Sequence, residues 1–133
     1  QGGVCFEIGT WNALTSVVLS RHFDQVVTVD IFHNAAKHAI IDHLGIRNIK
    51  CVDIADNVQK AAVVKDLHFD FAYMDGNHAD DTDLDWNLVK GCGRVLFHEA
   101  WPHQEKVWRL IHSLPPHQVA HNGMGLALWD GRK

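Results

Sequence analysis

Val4-Cys5-Phe6-Glu7-Ile8-Gly9-Thr10-Trp11-Asn12 decides the fold: a short apolar run ends in an acid, a single glycine allows a tight turn, and a helical stretch follows. About 20 residues on, Val26-Val27-Thr28-Val29-Asp30 repeats the device, a β-branched run closed by a carboxylate. Strand, turn, helix and a second strand with an acidic tip is the βαβ unit of a parallel sheet.

Working outward, the same alternation continues. Helices are expected over 13–22, 34–44, 58–67, 80–89 and 104–114, and further strands over 48–52, 69–74 and 94–97. Gly45 reads as a helix stop, and Pro115-Pro116 breaks the last helix. Segments 118–120 and 126–129 flank Asn122-Gly123 and read as an antiparallel hairpin. The expected fold class is therefore α/β: a Rossmann-like, doubly wound, mostly parallel sheet with a C-terminal antiparallel hairpin, built as one domain over residues 1–133.

Composition agrees. A chain of 133 residues with 47% hydrophobic residues can bury one core but has no room for a second domain. With 16 acidic against 12 basic residues and no Lys/Arg run, the footprint of a nucleic-acid binder is missing. No apolar run approaches the roughly 20 residues that span a bilayer. Cys5, Cys51 and Cys92 lack metal-ligand spacing and read as buried thiols of a reducing compartment. With no signal peptide in view, the expectation is a cytoplasmic protein.

In a doubly wound sheet the ligand lies outside the carboxyl ends of the strands. The residues there are Glu7, Gly9, Thr10 and Trp11 after the first strand, Asp30-Ile31 after the second, Asp53-Ile54 after the third, Asp75 to His78 after the fourth, and His98-Glu99 after the fifth. The three-glycine G-x-G-x-x-G pattern is absent, which argues against a dinucleotide pyrophosphate. An acid two residues before Gly9 suits a cationic ligand. Asp30 is placed to accept from a ribose diol and Asp53 from an adenine amino group, while Trp11 lies in the loop beside the ligand. The bland alternative makes Gly9 a turn glycine and the aspartates helix N-caps.

Glu7-Ile8-Gly9, Val27-Thr28-Val29-Asp30 and Phe69-Asp70-Phe71-Ala72-Tyr73-Met74-Asp75-Gly76-Asn77-His78 resemble class I S-adenosylmethionine-dependent methyltransferases. More narrowly, they resemble the small-molecule O-methyltransferase-like family with an IDG-x-H motif on strand four. Asp85-Trp86 and Gly91-Cys92-Gly93-Arg94-Val95-Leu96-Phe97-His98-Glu99 continue the likeness. The resemblance implies S-adenosylmethionine as cofactor, with Glu7 and Gly9 by its methionine part, Thr15 near its carboxylate, Asp30 on the ribose, and Asp53 and Ile54 bordering the adenine. It also implies Mg²⁺ or another divalent cation on Asp75 and Glu99, with His98 beside them.

The chemistry expected is methyl transfer to a small hydroxylated acceptor. Asp75 and His78 are the catalytic pair, with His78 as general base. Departures from the family are Ala13 and Leu14 where paired glycines are common, and Glu99 where Asp is usual. The family's covering helices before strand one have no counterpart in this sequence. The second reading is therefore an S-adenosylmethionine-binding domain without transferase activity of its own, and the third an NAD-type α/β domain. His112, His117 and His121 read as surface histidines separated by Pro115-Pro116, and five tryptophans suggest a homo-oligomer contact.

Overall fold

The computed structural model describes residues 2–77 and 80–133. Seven strands alternate with five α-helices, and the fold class is α/β and Rossmann-like: a seven-strand mixed sheet, mostly parallel, with an antiparallel C-terminal hairpin. The chain divides into two compact units, Gln1–Asp70 and Phe71–Lys133.

In the first unit β1 (Val4–Ile8), β2 (Gln25–Asp30) and β3 (Ile49–Asp53) are parallel, with β2 paired to both others. Cys5, Phe6, Val26, Val27 and Val29 are buried, because parallel strands covered on both faces need continuous apolar runs. β3 alternates more polar residues, as the edge of a sheet should.

Helix α1 (Leu14–Leu19) is shorter than the sequence suggests, since residues 20–23 close in tighter turns such as His22 N to Leu19 O at 2.8 Å. Helix α2 (Ala35–His43) starts at Asn34, whose side chain accepts from Ala36 N, and ends in a left-handed Gly45 with φ 63°. Helix α3 (Asn57–Lys65) is capped by Asp56, and Gln59 returns a hydrogen bond by accepting from Ala55 N. The caps are thus Asn34 and Asp56, so Asp30 and Asp53 are not spent on helix starts.

In the second unit β4 (Phe71–Met74) runs parallel to β5 (Arg94–Phe97). β7 (Ala127–Asp130) pairs antiparallel to β5, and β6 (Val119–His121) antiparallel to β7. Helices α4 (Thr82–Val89) and α5 (Glu105–Ser113) carry Val89, Val107 and Ile111 into a core with Val95, Phe97 and Ala127. Trp86 packs edge-on to Trp129, with ring centroids 4.9 Å apart.

The hairpin loop is longer than a two-residue turn. The Asn122 carboxamide oxygen accepts from both Met124 N and Leu126 N, which rounds the loop through Gly123 and Gly125. At Gly125, with φ 84°, an added Cβ would collide with Trp101 Nε1. Gly125→Ala is therefore expected to cost about 1–3 kcal/mol, combining left-handed strain with displacement of a ring. Urea unfolding checks this, as a lowered midpoint at unchanged slope.

Candidate functional site

Each unit gathers candidate residues at the carboxyl ends of its own strands. In the first, the β1–α1 loop turns through Gly9 (φ 99°), Trp11 (φ 42°) and Ala13 (φ 65°), three left-handed positions of which only the first is glycine. Three bonds fix it. Gly9 N donates to Val29 O at 2.9 Å, Thr10 and Thr28 share a buried hydroxyl pair at 2.6 Å, and Trp11 N donates to Asp30 Oδ2 at 2.7 Å.

The other oxygen of Asp30 accepts from Phe32 N at 2.8 Å, so one carboxylate fastens the loops that follow β1 and β2. A carboxylate has about four acceptor positions, and two remain on Asp30 after these bonds. Around it Trp11 is 64% exposed, Ile31 54% and Phe32 59%, an apolar rim beside a polar centre. The sequence pointed to Asp30, Trp11 and Ile31; it did not reveal Phe32 or Thr28.

Glu7 lies one residue before the end of β1 and is wholly buried, where it accepts from Ser16 Oγ of α1. Thr15, its neighbour on α1, is half-buried. Ser16 carries no sequence signal of this role, since a mid-helix serine reads as a surface residue.

Asp53 sits opposite Asp30 in the register of β2 and β3. Its carboxylate is already occupied: the fully buried Lys37 Nζ bonds to one oxygen, and His38 Nε2 lies 3.5 Å from the other. Ile54 follows it in sequence. Its side chain is 2% exposed, its N–H goes to Asp30 O at 3.1 Å, and its carbonyl faces His33 Nε2 at 3.1 Å. Both residues thus stiffen the ends of β2 and β3 from within.

The Lys37 hydrogen bond, outweighing burial and aided by His38, holds the Asp53 carboxyl below its usual range. A depressed folded pKa stabilises above the unfolded value of about 3.9 and is lost as pH falls through the folded one. The Tm deficit of Lys37→Met is accordingly expected to shrink as pH drops below about 4. A pH series of thermal melts on both proteins checks it.

In the second unit Asp75 follows β4 and His98 and Glu99 follow β5. His98 Nδ1 lies 2.7 Å from Asp75 Oδ1, and His98 N donates to Met74 O at 3.0 Å. Glu99 has a left-handed φ of 54°, and its carboxylate accepts from Gln104 Nε2 at 2.8 Å. Among the described residues no group of three or more His, Cys, Asp or Glu side chains could hold an ion. Asp75 and His98 lie side by side, and the Glu99 carboxylate meets the Gln104 amide. His78, the expected base, lies outside the described residues.

Burial raises the Cys51 thiol above its ordinary value, which disfavours a thiolate nucleophile. Among the described residues no helix is long and apolar enough to cross a membrane.

The fold is that of Rossmann-like methyltransferases. An O-methyltransferase from Bacillus cereus in complex with SAH aligns over 96% of this chain and 73% of that chain, with TM-score 0.73 and 12% identity. A candidate caffeoyl-CoA O-methyltransferase from Staphylococcus aureus aligns over 94% and 73%, with TM-score 0.74 and 13% identity. A precorrin 8w decarboxylase from Methanobacterium thermoautotrophicum aligns over 96% and 80%, with TM-score 0.66 and 11% identity. At these identities the likeness shows the fold, and the third structure illustrates that the fold does not set the reaction. The sequence matches no protein-family model and no curated protein.

Proposed function

We propose that the chain binds S-adenosylmethionine and transfers its methyl group to a small hydroxylated acceptor. The observation that carries this reading is the Asp30 carboxylate, which holds Trp11 N and Phe32 N at the ends of β1 and β2 and keeps acceptor capacity for a ribose diol. The exposed Trp11, Ile31 and Phe32 side chains offer apolar surface to a nucleoside, and the buried Glu7, held by Ser16, stands near the end of β1 on the methionine side. Gly9, Thr10 and Thr15 belong to the same loop and helix start. Asp53 and Ile54 act on the adenine side by stiffening the strand ends, the Asp53 carboxylate being committed to Lys37.

When bound, S-adenosylmethionine supplies an electrophilic methyl on a positively charged sulfur. The acceptor hydroxyl must shed a proton as its oxygen forms the new bond to carbon. His98 is the residue we assign to that proton. Its Nδ1 lies 2.7 Å from Asp75 Oδ1, which sets the ring beside that carboxylate, and Nε2 is the atom assigned to the proton. The divalent cation expected at Asp75, His98 and Glu99 is not required for this proton transfer.

Calorimetric titration with S-adenosylmethionine and SAH tests the cofactor half. Saturable binding is expected, with the same isotherm in Mg²⁺ and in EDTA; absence of binding overturns the reading. SAH release over a panel of small phenols and alcohols tests the transfer half. Binding without release from any of them would overturn that half alone.

A further inference from the structure

The second unit holds a ring-lined cavity of about 320 Å³ that the methyl-transfer reading does not use. Trp101, Trp108, His112, His121, Gly123 and Gly125 line it. Pro115-Pro116 separates His112 from His121 in sequence, yet the hairpin brings β6 back along α5, and the two imidazoles stand 5.9 Å apart. Trp108 lies 4.1 Å from the His112 ring and 6.1 Å from the His121 ring, which closes a triangle of three rings. Trp101 lies against Gly125, where any side chain would displace it. At Gly123 an added Cβ would meet nothing within 4 Å, so that side of the turn is open space.

We infer that this cavity is a binding site for a small, neutral, flat aromatic molecule carrying one hydrogen-bond donor. Size comes first. Small-molecule sites run from about 300 to 1,000 Å³, which puts this one at the scale of one or two fused rings rather than a nucleotide. Charge comes next. The two histidines are the ionisable side chains among the lining residues, so neither a fixed cation nor a fixed anion waits for a charged ligand. The aromatic walls favour ring-on-ring contact.

The donor requirement follows from one hydrogen bond. His112 Nδ1 lies 2.9 Å from Trp108 O. A carbonyl only accepts, so in the neutral ring Nδ1 carries the hydrogen and Nε2 is an acceptor. A ligand N–H or O–H aimed at Nε2 satisfies it. Both histidines are exposed, which leaves the cavity open to solvent.

Indole and benzothiophene test the proposal, since they share shape and differ in the N–H. Titrations of the intact protein, without any nucleoside, are followed by amide and tryptophan side-chain chemical shifts. Indole is expected to shift Gly123, Gly125 and the Trp101 indole N–H, and to bind about fivefold more tightly than benzothiophene, the effect of one net hydrogen bond. His112→Phe keeps the ring and is expected to abolish that preference, whereas His112→Gln, which retains an acceptor, keeps part of it. Equal binding of the two probes by the wild-type protein, persistence of the preference in His112→Phe, or shifts that map elsewhere would overturn the inference.

Discussion

His98→Ala is expected to lower kcat by about 10²- to 10⁴-fold while leaving SAH affinity within about twofold, because a positioned general base contributes on that scale to the chemical step alone. The asymmetry is the point. An imidazole that only braced the end of β5 would, on removal, weaken binding and stability together. The Asp75 carboxylate 2.7 Å from Nδ1 sharpens the test. Asp75→Asn removes the charge beside the ring, so a fall in kcat is expected from it as well. Single-turnover SAH release and calorimetry, run on the same preparations, separate the two outcomes. A loss confined to binding would exclude His98 from proton transfer.

Asp30→Ala is expected to weaken SAH binding by about 10- to 100-fold or more, the range for losing hydrogen bonds to a charged group. Two losses combine here. The ribose loses its acceptor, and Trp11 N and Phe32 N lose theirs, so both loops lose their common anchor. Asp30→Asn separates these effects. Its single carbonyl oxygen can serve only part of the set, and an intermediate affinity is expected. Calorimetry on the three proteins gives the order; equal affinity in all three would remove Asp30 from the site.

Much of the fold was legible because parallel strands demand uninterrupted apolar runs. Val4–Ile8 and Arg94–Phe97 coincide with the strands read from sequence, and most other elements differ by one or two residues at an end. Helix α1 is the larger miss, since tightened turns over residues 20–23 look helical in sequence. At the strand ends, the place of Asp30 could be read because it closes the β-branched run of β2. Lys37 could not. Nothing in α2 marks that lysine as buried until β3 sets Asp53 beside it. Asp75, His98 and Glu99 were legible as polar residues at strand ends, but the approach of His98 to Asp75 and of Gln104 to Glu99 is set by the folded backbone and not by spacing. His112 and His121 were hidden for a similar reason: their proximity is a property of the hairpin's return, not of spacing.

The left-handed backbone at Trp11 and Ala13 bears on how the protein could be re-engineered. Each such position holds about 1–3 kcal/mol of conformational strain. Glycine would relieve it, yet glycine also widens the unfolded ensemble and returns part of that gain. Attempts to raise heat tolerance at these two positions should therefore yield little, and a designer would do better to leave the segment untouched and work on the exposed faces of the helices.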